Sequence, residues 1–303
     1  LAQADALSDS GRVDRLGVPL RDGALMSVAV SGTGPDLLLV HGWSAHAGFF
    51  DSIRTRLDQS FRVIAPDLRG HGQSAPGSAP LTIDQLADDM GVLAHALDLQ
   101  DAVALGWSMG ATVLWRHLAE HGSNRFSGLI VEDMSPRILN DHAWVLGMTN
   151  GLDAQSSKRA TEIMRADWAA YASAFAPRMF ARESLTRCGD IAAWAAREIA
   201  ACDGAVMADL WTSMAAEDSR PFLTELKLPV RVIHGAMSEA YSPETSRFLV
   251  ETLPDAELVT FTRSGHAPHL EEAERFADAV AEFARRVQPP GVHNPNNSEG
   301  SNP

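Results

Sequence analysis

Short runs of apolar residues alternate along this chain with longer stretches whose apolar residues recur every three or four positions. The short runs span 27–30, 36–40, 61–65, 102–105, 127–131, 230–233 and 257–261, and are bounded by glycine, proline and other turn-forming residues. Their density of Val, Ile, Leu and Ala predicts strands buried on both faces. The longer stretches predict helices over 47–57, 82–97, 243–253 and 274–287, with another directly after 110 that carries Leu114, Trp115 and Leu118 on one face. In the second of these, Ile83, Leu86, Met90, Leu93 and Leu97 form a stripe, and Thr82 is placed to cap it. Strands alternating with helices predict an α/β fold: a doubly wound, mainly parallel sheet with helices on both faces.

The alternation stops between 137 and 225, where no strand pattern is visible. Alanine and aromatic residues at helical spacing, among them Trp144, Trp168, Tyr171, Phe175, Phe180, Trp194 and Trp211, predict an inserted helical lid. Most of these aromatics are expected to pack helices, and a few to line an apolar pocket. The expected organisation is a core of 16–136 and 226–288, the lid at 137–225, a flexible segment at 1–15 and a disordered tail at 289–303. The tail is rich in Pro, Asn, Gly and Ser and has little to bury.

The 303 residues are 45% hydrophobic, enough for one large core. A net charge of −14 argues against nucleic acid or an anionic membrane as partner. No apolar run is long enough to cross a bilayer, and the expected location is the cytoplasm. Cys188 and Cys202 both fall in helical stretches and are expected to be buried free thiols. The pairs His41/His46 and His266/His269 lack metal-ligand companions, and no phosphate-binding loop is present, so neither metal nor cofactor is expected.

Chemistry concentrates at strand ends. The run 102–105 leads into Gly106-Trp107-Ser108-Met109-Gly110 and then a helix. Strand, tight turn and helix place Ser108 at the apex, with its hydroxyl lifted clear of the sheet and a helix N-terminus behind it. A serine needs a base and a group that orients the base. His266, in the glycine-opened loop after the last strand, is the candidate base, and His269 is its rival as a loop or wall residue. Asp133 is the favoured acid. Glu132 and Glu239 are the alternatives, and since neighbours leaving a strand point to opposite sides, at most one of Glu132 and Asp133 faces the histidine. The N–H groups of Met109 and Trp43, the latter after His41-Gly42, are the candidate oxyanion donors. Ser44 is expected to be a solvated loop serine.

These motifs, together with Asp67-Leu-Arg-Gly-His-Gly-Gln-Ser74, resemble the α/β-hydrolase superfamily over roughly 16–287. The resemblance implies a serine esterase-type triad acting on a small-molecule ester or lactone. Most members carry the acid in a later Gly-x-x-Asp, where this chain has Gly235-Ala-Met-Ser238. Small bacterial esterases with the acid one strand early have an Asp-x-x-Pro, which Asp133-Met-Ser-Pro136 matches. Haloalkane dehalogenases and a mycotoxin lactonase branch use a glutamate near this point, which retains Glu132. Dehalogenases and epoxide hydrolases need an aspartate where Ser108 stands, which disfavours those activities. Two further readings fit the same resemblance: a cofactor-independent dioxygenase of heteroaromatic substrates, and a non-catalytic ligand-binding member.

Overall fold

The computed structural model describes residues 12–288. In chain order the elements are β1 (Val13–Pro19), β2 (Leu25–Ser31), β3 (Asp36–Val40), α1 (Asp51–Leu57), β4 (Arg62–Pro66), α2 (Ile83–Ala96), β5 (Ala102–Trp107), α3 (Met109–His121) and β6 (Phe126–Glu132). An insertion follows with α4 (Ala154–Ala166), α5 (Trp168–Phe175), α6 (Arg182–Arg187), α7 (Gly189–Ala200), α8 (Gly204–Ala216) and α9 (Arg220–Leu223). The core resumes with β7 (Val230–Gly235), α10 (Pro243–Thr252), β8 (Ala256–Phe261), α11 (Pro268–Glu271) and α12 (Ala273–Val287).

Eight strands form one sheet in the order β1-β2-β4-β3-β5-β6-β7-β8. From β4 to β8 every neighbouring pair is parallel, while β2 runs antiparallel to both β1 and β4. Every residue of β5 is buried, yet the strand still alternates between two cores. Ala102 and Ala104 pack towards α2 and α3, whereas Val103, Leu105 and Trp107 pack on the side of α1 and α12. Truncating a large side chain in such a core costs roughly 2–5 kcal/mol, a large part of a typical total stability of about 5–15 kcal/mol.

The order of strand addition reverses between β3 and β5, which lie side by side and parallel at the centre. In an open parallel sheet this switch point leaves a crevice beyond the strands' carboxyl ends, because the loops from the two strands turn away to opposite faces. The loop after β3 carries His41 to Ser44, and the loop after β5 carries Ser108.

Four expectations need correction. The segment 1–15 was expected to be flexible, but β1 starts at Val13 and pairs with β2 along its whole length; its weak apolar pattern reflects an edge strand that is mostly exposed. Residues 1–11 and the expected tail at 289–303 lie outside the described residues. The serine strand runs on to Trp107, two residues past the expected 105. The helices of the insertion begin only at Ala154. Before them, Asn140 replaces helical bonds by holding the Met148 carbonyl and the Gly147 N–H with its own amide, at 2.8 and 2.9 Å. Thr82 caps α2 as expected, its hydroxyl accepting from the Gln85 N–H at 3.2 Å. Both cysteines are free but half-buried rather than buried.

Candidate active site

Ser108 has φ 52° and ψ −123°, a backbone conformation that costs an L-residue energy and persists only where its surroundings enforce it. The flanking glycines explain how. A Cβ on Gly106 would lie 2.5 Å from the Ala111 backbone, and one on Gly110 would lie 2.1 Å from the Val40 carbonyl oxygen. Strand, turn and helix therefore approach more closely than any side chain at these two positions would allow. The Ser108 N–H is held by the Glu132 carbonyl at 3.0 Å.

The loop after β3 is fixed from behind. His41 Nε2 accepts the Leu68 N–H at 2.9 Å, and His71 Nε2 accepts the Ser44 N–H at 3.2 Å. Asp67 accepts the Ala47 N–H at 2.8 Å and the Gln73 N–H at 3.0 Å. The Asp67–Ser74 motif thus holds the Trp43 loop rather than facing substrate. Ser44 is fully buried, not solvated, and its hydroxyl has no hydrogen-bond partner among the described residues. Gly42 lets this loop lie against the serine, since a Cβ there would be 3.2 Å from Ser108 Cβ. The Trp43 indole donates to the Met207 carbonyl at 2.9 Å, tying the loop to α8. The backbone N–H groups of Trp43 and Met109 donate to no protein atom among the described residues, as expected at a loop tip and at the first turn of a helix.

Burial holds the His71 imidazole down to about 4, against an ordinary value of 6.5. The unfolded chain therefore takes up this proton first as pH falls. Stability from His71 is complete above pH 6.5 and is lost between 6.5 and about 4. We expect His71→Gln to remove roughly 3 kcal/mol of acid sensitivity across that window. Urea unfolding at a series of pH values measures it, and an unchanged slope would refute it.

Asp133 leaves the end of β6 with φ 43°. Its Oδ2 receives His266 Nδ1 at 2.7 Å and Ser238 Oγ at 2.6 Å; its Oδ1 receives His234 Nδ1 at 2.9 Å. Burial raises the Asp133 carboxyl, but the hydrogen bonds from His234 and then His266 outweigh it and hold the group below its ordinary range. The next residue back behaves differently. Glu132 points to the opposite side and accepts both the N–H and Nδ1 of His269, at 3.1 and 2.8 Å. The rival base and the rival acid are therefore paired with each other, fully buried, against Trp107 and Phe50. Glu239 lies 3.8 Å from Arg178 and 3.7 Å from Arg182, with nearly half its side chain exposed.

His266 is held from both ends. Its N–H donates to the Met179 carbonyl at 2.8 Å, and its own carbonyl accepts the Trp107 indole at 2.8 Å. The preceding Gly265 N–H is held by Glu271 at 2.7 Å. Ser108 and His266 face one cavity of about 260 Å³. No hydrogen bond joins their side chains; such contacts commonly tighten only when substrate is bound. Of the insertion's aromatics, Tyr171, Phe175 and Trp211 line the cavity with Trp43. Trp168 stacks behind Tyr171, while Trp144 and Trp194 pack elsewhere, on Phe248 and Phe49. Arg178, Glu239 and Asn150 add a polar rim.

The sequence profile of the Alpha/beta hydrolase family matches residues 37–279. The chain belongs to the α/β-hydrolase family. This hydrolase is similar to the pimeloyl-acyl-carrier-protein methyl ester esterase of Vibrio cholerae, 28% identical over 258 residues that cover 85% of this chain and 97% of that one. The protein of the same name from Vibrio atlanticus is 30% identical over 262 residues, 85% of this chain and 97% of that one. Among solved structures, an esterase from Exiguobacterium antarcticum superposes with a TM-score of 0.83 at 22% identity, covering 89% of this chain and 98% of that one. The enol-lactonase from Burkholderia xenovorans LB400 gives 0.78 at 24% identity, covering 89% and 100%. At these identities the superpositions speak for the fold.

Two contributors to this hydrolase's site escaped the sequence reading: His234, which bonds Asp133, and the Trp107 indole, which bonds the His266 carbonyl. The β6–β7 register pairs Glu132 with Ile233, placing His234 beside Asp133 across about a hundred residues of sequence. No local pattern in the chain signals that register. No described helix is long and apolar enough to cross a membrane.

Proposed function

We propose that this hydrolase cleaves carboxylic esters or lactones through an acyl-enzyme on Ser108. The observation that carries the reading is a buried Asp133–His266 pair opening on the same cavity as a serine held at a strained turn. Asp133 accepts the Nδ1 proton of His266, which leaves Nε2 as the basic nitrogen. Ser108 Oγ attacks the carbonyl while Nε2 takes its proton. The oxyanion that forms is received by the N–H groups of Met109 and Trp43, the kind of preorganised donors worth roughly 10²–10³ each in rate. The imidazolium returns its proton to the departing alcohol, and water releases the acyl group through the same histidine. For a lactone the alcohol stays tethered to the acyl group, and the chemistry is otherwise the same.

The names of the similar proteins, methyl ester esterase and enol-lactonase, support both substrate types. Helices α4, α5 and α8 act as a lid: they supply Ser156, Tyr171 and Trp211 to the cavity and exclude water from the reacting atoms. The apolar lining of a 260 Å³ space suits a compact apolar acyl or alcohol group.

The test is a series of p-nitrophenyl esters and lactones of graded chain length, with a fluorophosphonate probe for the nucleophile. Turnover should rise with chain length until the cavity is filled and then fall, and the probe should label Ser108. Absence of both turnover and label, with oxygen uptake on a hydroxyquinolone instead, would replace hydrolysis with the dioxygenase reading.

A further inference from the structure

Asp133 lies between two imidazoles, and the proposed mechanism uses only one of them. His234 sits in β7, two strands from Ser108 and fully enclosed. Its Nδ1 is 2.9 Å from Asp133 Oδ1, the oxygen that His266 does not use. The backbone fixes this pairing, because the Asp133 N–H donates to the Ile233 carbonyl at 2.8 Å.

We propose that His234 is a positioning residue: as a neutral donor it fixes Oδ1 of Asp133, so that Oδ2 is presented to His266. This rests on the hydrolytic roles given above to Asp133 and His266. A carboxylate only accepts hydrogen bonds, so the His234 proton is on Nδ1. Its Nε2 is buried and has no hydrogen-bond partner among the described residues. The neutral form leaves one lone pair unmet there, whereas a cation would strand an N–H donor, which is costlier. His234 therefore supplies a hydrogen bond without supplying a second positive charge beside His266.

Other groups face this cluster but leave Oδ1 to His234. Ser238 bonds Oδ2. The Tyr241 ring lies 5.9 Å from His266, and its hydroxyl points to Met134 Sδ. Glu239 and Arg178 stand at the cavity rim, facing each other. Glu271 holds the Gly265 N–H, and Glu132 with His269 occupies the opposite side of β6. Removing the His234 donor leaves Oδ1 without its N–H, which makes the carboxylate more basic and raises the proton affinity of the Asp133–His266 couple, while the less firmly held carboxylate orients His266 less well. The couple would then take up its inactivating proton at a higher pH.

The test compares the full chain with His234→Phe, His234→Asn and His234→Gln. The Asn amide nitrogen falls near the position of Nδ1, and the Gln amide nitrogen near that of Nε2. The first readout is a pH titration of the downfield proton NMR signal from His266 Nδ1–H, which needs no substrate. The second is kcat/KM against pH with p-nitrophenyl butyrate. In Phe and Gln the titration midpoint and the acid limb should move up by about one unit or more, and kcat should fall roughly ten- to hundredfold. KM should hold, and Asn should restore wild-type behaviour. An unmoved midpoint in Phe, or equal behaviour of Asn and Gln, would overturn the proposal. If Phe does not fold, the contrast between Asn and Gln decides. An unmoved titration beside full Ser108-dependent turnover would remove only the role of His234. Absence of turnover in the wild type would remove the hydrolytic reading, while the titration would still report on Asp133.

Discussion

Ser108→Ala should lower kcat/KM for p-nitrophenyl esters by roughly 10³–10⁶ without loss of folding. The substitution removes the nucleophile and keeps the Cβ, so the contacts of that atom with the Gly42 loop are unchanged. Alanine at φ 52° carries the same backbone strain as serine, and the flanking glycines still enforce it. Thermal melting should therefore match wild type. Residual catalysis would come from the N–H groups of Trp43 and Met109 and from the enclosing cavity. The fluorophosphonate label should disappear in parallel. Turnover within tenfold of wild type would mean that another group attacks the substrate, and the acyl-enzyme would have to be abandoned.

Asp133→Asn should lower kcat by about 10⁴ where the amide nitrogen faces His266, and by much less where it faces His234. The carboxylate now accepts from His234, Ser238 and His266 together. An amide offers only one oxygen, so its nitrogen must face at least one of these donors. If the nitrogen faces His266, the imidazole is pushed into the tautomer that places the proton on Nε2, where the base is needed. If it faces His234, a buried donor is left unmet, at a cost of about 1–3 kcal/mol in stability. The two outcomes separate in a urea titration run beside the kinetics. The control substitutions make the assignment specific. Glu239→Gln disturbs only long, exposed pairs with Arg178 and Arg182, worth at most about 1 kcal/mol, and should leave kcat near wild type. Glu132→Gln loosens the loop carrying His269 and should act mainly on stability. A full loss of activity in Glu132→Gln with an active Asp133→Asn would exchange the two roles.

The alternation of strands and helices was legible because buried strands and amphipathic helices follow different periods, and both periods are local. β1 was not, because an edge strand open to water needs no apolar pattern, and its place is set by pairing with β2. Ser108 was legible for a related reason. Its neighbours Gly106 and Gly110 announce backbone that must pass within about 2.5 Å of where a Cβ would stand. Alternation at a strand end allowed at most one of Asp133 and Glu132 to face His266, and the preference for Asp133 rested on the resemblance carried by Asp133-Met-Ser-Pro136. Which of them met His266 depended on where the loop after β8 came to rest.

By itself the chain determined its fold class, the elbow at Ser108 and the short list of histidines and carboxylates, since each rests on residues within a few positions of one another. Tertiary structure alone decided the partners: His266 with Asp133, His269 with Glu132, and His234 on the remaining oxygen. Those pairings join residues more than a hundred positions apart, and they follow from strand register and loop packing that no local pattern encodes.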